Sequence, residues 1–277
     1  MIMIDLVYEA IGTHIARHAP ERGGALYGPR GRPVITHFEY DADAETTAVS
    51  YVPSSRLIRN VVDVERGTGL QFKGIVHSHP AGFIRPSSGD AQTVQSFFRL
   101  NPHVSGIALP IVQEIRVDDG GAAQSFMHCY RAERRGSESY APTPSNCDCE
   151  LPYGIAIIEE DLHVIPLSRH VSTLLGRLSQ DGFDLRCDGR PQRLSIANAE
   201  LIGLTARGER GHEFIYLASY DYPFVAPVVL FQNAGVTRNL ALVWNGFEDV
   251  EKSLESLATL LVREWAADKV RSETEGT

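Results

Sequence analysis

The chain has 277 residues, of which 43% are hydrophobic, so it can bury a sizeable core in one large domain or two ordinary ones. Its net charge of −9 argues against a general nucleic-acid-binding protein, which would carry a basic surface. No apolar run approaches the roughly 20 residues that span a bilayer, and no basic segment precedes the N-terminal apolar residues as in a signal peptide. We therefore expect a cytoplasmic protein that binds neither nucleic acid nor membranes.

The first half of the chain shows helical and extended patterns in alternation. Apolar residues at helical spacing predict a helix over residues 4–18, and a helical pattern that starts with serines covers 54–66. A third helix is predicted over 90–100, with serines available to cap it. The extended patterns predict strands at 21–28, 33–40, 46–53, 74–80, 105–117 and 123–133.

Two histidines and an aspartate lie close together in the stretch GIVHSHPAGFIRPSSGD, residues 74–90. Side chains at i and i+2 of a strand point to the same side, so His77 and His79 present two imidazoles to one point. The Pro-Ser-Ser-Gly loop can turn the chain back and bring Asp90 to that point. Zinc binds imidazole nitrogens and carboxylate oxygens, and a catalytic site leaves one position to a water molecule, whose pKa falls to about 7. The pattern therefore predicts a zinc site that can activate water.

The order and spacing of the polar residues in this stretch closely resemble the JAMM motif, which defines the zinc-dependent MPN-domain (JAB/Mov34) isopeptidases. The matching positions are His77, His79, Ser87 and Asp90. The family also carries a glutamate just before a glycine-containing strand, and the segment 20–28, PERGGALYG, is similar to that element. The resemblance covers about residues 1–135. It implies an α/β MPN domain with a mixed, curved sheet flanked by helices and with zinc at one end.

The resemblance also implies a role for each matching residue. His77, His79 and Asp90 would be the zinc ligands. Glu21 would hold the attacking water, take its proton and pass that proton to the leaving amine; surface glutamates beside proline are common, so the base could also lie elsewhere. Ser87 would stabilise the oxyanion of the tetrahedral intermediate. A serine at this position can also cap the following helix, and the two roles are compatible.

A polar segment at residues 136–150, rich in proline and serine, predicts a linker between two domains. A second, α+β domain is predicted over 151–277, with an antiparallel sheet and a long C-terminal helix. The patterns behind it are a strand pair within 154–167, a helix over 168–182, two strands within 212–231 and a helix over 247–270.

Tyr222, Pro223 and Pro227 lie between two predicted strands and match the Y-P-x-x-x-P signature of ubiquitin-conjugating-enzyme-like and RWD domains. An ordinary proline-rich turn would account for the same residues, because proline fixes the backbone where a strand leaves a sheet. No cysteine follows this turn, since Cys187 is the last in the chain. The resemblance therefore implies a binding module that forms no thioester and that binds a ubiquitin-like protein, a conjugating partner or another copy of the chain.

The four cysteines have a less specific spacing. Cys147 and Cys149 form a C-x-C pair in the predicted linker, and with Cys129 and Cys187 they could form a four-thiolate zinc site. Two C-x-x-C pairs are lacking, so reduced free thiols are favoured.

The family resemblance implies a zinc-dependent isopeptidase or peptidase. Its substrate would be a ubiquitin-like protein, cut from a conjugate or from a precursor extension at the C-terminal amide, and cognate activating and conjugating enzymes are candidate partners. The short connection between Leu100 and Ser105 is typical of a compact, prokaryote-like version. Two alternatives stay open. One is a hydrolase of the same type that releases cysteine or another small amine from a sulfur-carrier protein. The other is a non-catalytic scaffold, which a fourth protein ligand to the zinc would support.

Overall fold

A computed structural model of the protein describes residues 1–16, 21–47, 50–115, 124–135, 154–180, 192–196, 199–207, 213–219, 222–223, 225–233, 235–245 and 249–274. The chain divides into two compact units, Met1–Val164 and Ile165–Thr277. Among the described helices, none combines the length and the apolar character that crossing a membrane requires.

The first unit contains both helices and strands. Its helices are α1 (Asp5–Ile11), which a π-helical segment continues over Gly12–Ala16, α2 (Ser55–Gly67) and α3 (Ser88–Leu100). Its strands are β1 (Ile2–Ile4), β2 (Gly23–Pro29), β3 (Val34–Ile35), β4 (His37–Tyr40), β5 (Glu45–Thr47), β6 (Ser50–Val52), β7 (Leu70–Ser78), β8 (Gly106–Ala108), β9 (Ile111–Ile115), β10 (Gln124–His128), β11 (Tyr130–Arg134) and β12 (Ile155–Glu159). A further strand, β13 (His163–Ile165), ends at the first residue of the second unit.

Strand β7 forms the centre of the main sheet of this unit. β2 pairs with it in antiparallel register along one edge, with Gly23 opposite His77. β8 and β9 pair with it in parallel register, β8 at Gly74 and β9 at His77. The sheet continues from β2 to β4, from β9 to β10, and from β8 through β11 to β12. Gly74 permits the close approach of β8, because a Cβ there would lie 1.9 Å from the carbonyl oxygen of Ala108.

Two helices of the first unit begin at the serine caps that the sequence offers. The Ser54 side chain accepts a hydrogen bond from the N–H of Leu57, and Ser87 accepts one from the N–H of Asp90. The Asp90 carboxylate in turn accepts a hydrogen bond from the N–H of Ser87, which completes a capping box. The start of α3 is therefore well defined, and Asp90 lies in its first turn.

Helix α3 packs its apolar face on the sheet. The buried residues of this cluster are Ala91, Val94, Phe98, Ile107, Leu109, Ile111, Tyr130, Ala132 and Ile157. Removing these side chains from water stabilises the packing of α3 on β8, β9, β11 and β12. The position of the helix relative to the sheet is thereby fixed.

The strand pair predicted within residues 154–167 is divided between two sheets. β12 pairs with β11 in the main sheet, whereas β13 joins β1 and β3 in a separate three-stranded sheet. The boundary between the units accordingly falls after Val164, later than the 136–150 segment that the sequence suggested as a linker. Local patterns show that a strand exists but not which strand it pairs with, which explains the difference. The 136–150 segment lies outside the described residues.

The second unit contains one antiparallel sheet and two helices. Its elements are α4 (Leu167–Gln180), β14 (Gln192–Ile196), β15 (Ala199–Arg207), β16 (Glu213–Ala218), β17 (Val228–Asn233), β18 (Val236–Asn239) and α5 (Val250–Thr274). The five strands pair in chain order, and α4 and α5 pack against each other. The predicted fold class is confirmed for both units: a mixed sheet flanked by helices in the first, and an antiparallel sheet with a long C-terminal helix in the second.

Tyr222 packs inside the second unit. The Tyr222 side chain is buried, its hydroxyl lies 2.6 Å from Nδ1 of His170, and the Tyr222–Pro223 peptide bond is cis. Trp244 packs against the Tyr222 ring, and its Nε1 donates a 2.7 Å hydrogen bond to the carbonyl oxygen of Pro223. These contacts hold Tyr222 and Pro223 in the core of this unit. The similarity of this unit to RWD domains stays a prediction.

Candidate metal centre

The structure brings together the three side chains that the sequence analysis selected as metal ligands. His77 lies near the carboxyl end of β7, His79 lies just beyond that end, and Asp90 lies in the first turn of α3. The two Nε2 atoms are 2.9 Å apart. Asp90 Oδ1 is 3.0 Å from His77 Nε2, and Asp90 Oδ2 is 3.3 Å from His79 Nε2. Two imidazoles and one carboxylate therefore converge on one point.

A backbone carbonyl orients the His79 ring. Its Nδ1 lies 2.9 Å from the carbonyl oxygen of Phe83. A carbonyl oxygen can only accept, so in the neutral ring Nδ1 carries the proton and Nε2 keeps a lone pair toward the cluster. Hydrogen bonding of the second ring nitrogen in this way is usual for histidines that bind a metal.

Ser87 orients the Asp90 carboxylate. The N–H of Ser87 donates to Asp90 Oδ2 at 2.6 Å, and the Ser87 hydroxyl donates to the same oxygen at 2.8 Å. Oδ1 is therefore the oxygen best placed to bind a metal. Burial alone would raise the pKa of Asp90, but the adjacent imidazoles of His77 and His79 and the N–H of Ser87 hold that pKa well below its usual range. The carboxylate is thus ionised at neutral pH.

The donor set and its spacing fit zinc. Imidazole nitrogens and carboxylate oxygens about 2.0–2.2 Å from a tetrahedral ion lie about 3.4 Å from one another. The two separations within this donor set, 2.9 Å between the Nε2 atoms and 3.0 Å from His77 Nε2 to Asp90 Oδ1, are within about half an ångström of that value. Within the described residues, the candidate metal-binding group consists of His77, His79 and Asp90. Three protein ligands are the number found in catalytic zinc sites.

Backbone pairing sets Glu21 beside this cluster. The antiparallel pairing of β2 with β7 extends to the residue before β2, because the N–H of Ser78 donates a 2.8 Å hydrogen bond to the carbonyl oxygen of Arg22. In the register that sets Gly23 opposite His77, Glu21 stands opposite His79. Opposite residues of an antiparallel pair project to the same face, so Glu21 and His79 lie on one side of the sheet. The Glu21 side chain is largely enclosed, with 7% of the residue exposed.

The environment of Glu21 suits proton transfer. Burial raises the pKa of Glu21 above its ordinary value, and Asp90 raises it further, while the nearby imidazoles of His79 and His77 partly oppose the increase. A carboxyl group with a raised pKa takes up and releases a proton more readily near neutral pH than an ordinary surface glutamate.

Two contributors to the site were missed by the sequence analysis. Phe83 acts through its carbonyl oxygen, which any residue would supply, so no side-chain pattern marks it. Tyr51 stacks beside His77 but lies on β6, 26 residues away in the sequence. A single aromatic residue in a predicted strand carries no signal for such a contact.

The cysteines show no comparable arrangement in the described part of the chain. Cys129 is a buried free thiol, and burial raises its pKa to about 12. The other members of the alternative four-thiolate site, Cys147, Cys149 and Cys187, lie outside the described residues.

Comparisons with known proteins give a family match and matches to solved structures. Residues 6–117 match the family described as prokaryotic homologs of the JAB domain, which confirms the resemblance inferred from the motif. A solution structure of a protein from Desulfitobacterium hafniense is 17% identical, covers 60% of this chain and 94% of that chain, and has a TM-score of 0.40. A JAB1/MPN domain protein from Archaeoglobus fulgidus is 18% identical, covers 59% of this chain and 97% of its own, and has a TM-score of 0.29. No curated protein matches the chain.

Proposed function

Because residues 6–117 form a prokaryotic JAB domain, and zinc isopeptidases belong to the JAB/MPN family, we propose that this protein is a zinc-dependent hydrolase. Its substrate would be the C-terminal amide of a ubiquitin-like protein, in a conjugate or in a precursor. The observation that carries the proposal is the convergence of His77, His79 and Asp90 beside the enclosed carboxyl group of Glu21. A metal-binding donor set next to a proton carrier is what amide hydrolysis by water requires.

The three clustered side chains would hold the ion. His77 and His79 would bind it through Nε2, and Asp90 through Oδ1. When bound, zinc supplies Lewis acidity that polarises the substrate carbonyl and lowers the pKa of water, so that hydroxide is available as the nucleophile at neutral pH.

Glu21 would carry the proton. Its carboxylate accepts a proton from the attacking water and returns that proton to the nitrogen of the leaving amine. Without this transfer the leaving group would be an amide anion, which is far too basic to depart. The raised pKa of Glu21 in the metal-free protein makes its carboxylate a stronger proton acceptor than that of an ordinary surface glutamate, and the more basic leaving amine can still take the proton back.

Ser87 would serve in two ways. In this structure its hydroxyl donates to Asp90 Oδ2 and its oxygen caps α3. Rotation about its Cα–Cβ bond would turn the hydroxyl from the carboxylate toward a substrate carbonyl, where it would stabilise the developing negative charge. The N–H of Ser87, which does not move with the side chain, would continue to hold Asp90.

The test uses the full chain, loaded with zinc, and three kinds of substrate. These are ubiquitin-like proteins with a C-terminal peptide extension, the same proteins joined to a lysine side chain, and a sulfur-carrier protein extended by cysteine. We expect cleavage of the first two kinds by the wild type. Cleavage of the third kind alone would assign the enzyme to sulfur-carrier processing instead.

Glu21→Ala is the decisive variant. We expect it to retain zinc and to lose turnover by at least about 100-fold, since positioned acid–base groups contribute factors of that size. Glu45→Gln, on an exposed residue of β5, is the matched control and should keep wild-type turnover. Wild-type turnover in Glu21→Ala would show that another group is the base. Absence of bound zinc from the purified wild type would refute the proposal as a whole.

A further inference from the structure

An aromatic residue outside the motif contacts the metal-binding cluster. Tyr51 lies on β6, in the two-stranded β5–β6 hairpin. Its ring is nearly parallel to the imidazole of His77, at an interplanar angle of 13° and a centroid distance of 6.2 Å. Tyr51 also lines a largely apolar cavity together with His77 and Asp90. Such offset parallel packing is a favourable arrangement for two aromatic rings.

Gly23 makes room for the Tyr51 ring. Gly23 is the residue of β2 that stands directly opposite His77. A Cβ on Gly23 would lie 2.5 to 2.7 Å from carbons of the Tyr51 ring, closer than any van der Waals contact allows. Gly23 has no side chain to pack against His77 from the opposite strand. The Tyr51 ring of the β5–β6 hairpin takes that place.

A buried carboxylate anchors the ring at its other end. The Tyr51 hydroxyl donates a 3.3 Å hydrogen bond to Oδ2 of Asp41, of which 2% is exposed. Asp41 is held in turn by Ser54, whose N–H donates at 2.7 Å and whose hydroxyl donates at 2.6 Å. Burial, and then the negative charge of Asp41, raise the pKa of Tyr51, so the phenol stays a neutral donor at physiological pH.

We propose that Tyr51, anchored by Asp41, is a positioning residue that holds the His77 imidazole in its metal-binding orientation. The proposal rests on the proposed function, since it assumes that His77 binds zinc. The two histidines are then oriented by different means: His79 by a hydrogen bond to the carbonyl of Phe83, and His77 by a packed ring. Restricting the ring beforehand lowers the entropy that metal binding must remove, so loss of Tyr51 should weaken zinc binding.

The experiment compares tyrosine substitutions at two positions in the full-length protein. Tyr51→Leu removes the ring, and Tyr51→Phe removes only the bond to Asp41. Tyr27→Leu is the matched control, because Tyr27 is a buried tyrosine of the first unit that likewise donates a hydrogen bond to a carboxylate, that of Glu39 at 2.8 Å. The zinc dissociation constant is measured by competition with a chromophoric chelator, and thermal melting of each protein confirms that it is folded.

We expect Tyr51→Leu to raise the zinc dissociation constant about tenfold, the lower end of the range for residues that orient metal ligands. Tyr51→Phe should recover most of that loss, leaving an increase of about threefold, because the ring remains and only its anchor is missing. Tyr27→Leu should lower the melting temperature and leave the zinc dissociation constant unchanged.

The proposal is overturned if folded Tyr51→Leu binds zinc as tightly as the wild type, or if Tyr27→Leu weakens zinc binding equally. If Tyr51→Leu does not fold, the zinc dissociation constant of Tyr51→Phe is the test, and a value equal to that of the wild type overturns the proposal. Failure of the wild type itself to bind zinc would instead refute the proposed function. The two failures are therefore distinguishable.

Discussion

Ser87→Ala should separate the structural role of Ser87 from its proposed catalytic role. The substitution removes the hydroxyl that accepts from the N–H of Asp90 at the start of α3 and that donates to Asp90 Oδ2. The backbone N–H of residue 87 remains and still bonds to Asp90 Oδ2. One cap acceptor and one charge-assisted donor are therefore lost, and one donor is kept.

The expected sizes of the two effects differ. Loss of a serine cap costs about 1 kcal/mol of the free energy of unfolding, which in a unit of this size lowers the melting temperature by about 2–4 °C. Loss of a hydrogen-bond donor to a developing oxyanion costs about 2.7–4 kcal/mol in the activation free energy, or 10²–10³ in turnover. The catalytic loss therefore exceeds anything that the small stability change would cause at a temperature well below melting.

Ser87→Asn is the variant that keeps the cap, because asparagine caps helices as well as serine does. We expect the melting temperature of Ser87→Asn to stay close to the wild-type value, while Ser87→Ala melts earlier and loses turnover. Melting curves of the metal-free proteins and steady-state kinetics of the zinc-loaded proteins measure the two quantities. Full turnover in Ser87→Ala would refute the oxyanion role, and an unchanged melting temperature would refute the contribution of the cap.

Two further predictions concern Glu21 and Gly74. The pKa of Glu21 is raised in the folded, metal-free protein, so above pH 4.5 the folded state keeps a proton that the unfolded state has released. The free energy of unfolding therefore falls as pH rises from about 4.5 through the folded pKa. Metal-free Glu21→Gln should therefore melt higher than the wild type at pH 7 and equally at pH 4; equal melting at pH 7 would contradict the raised pKa. Gly74→Ala should destabilise the first unit by several kcal/mol, since its Cβ would lie 1.9 Å from the carbonyl oxygen of Ala108 and β8 would have to move. Urea unfolding measures the change, and a loss below about 1 kcal/mol would show that β8 tolerates the shift.

The convergence of the three candidate metal ligands was predictable because it depends on local geometry. His77 and His79 share one face through the period of a strand, and Asp90 follows within one loop at the start of a helix. The capping box between Ser87 and Asp90 has the same local character, since helix caps depend on residues three positions apart. The position of Glu21 was inferred from a family resemblance, and its place opposite His79 depends on the register of β2 with β7, which no local pattern encodes.

The amino-acid sequence by itself indicated most helices and strands, the α+β class of the second unit and the convergence of two imidazoles and a carboxylate, because these follow from periodicities and spacings within a few residues. The fold class of the first unit was implied by the resemblance of its motif to a known family. Only the tertiary structure decided that β12 completes the first sheet, that the Phe83 carbonyl orients His79, and that Tyr51 fills the space above Gly23. Each of these depends on segments that are distant in the chain and meet only after folding. Contacts of that kind are selected by complementary shape and by hydrogen bonding across the whole packed core, so patterns among neighbouring residues do not predict them.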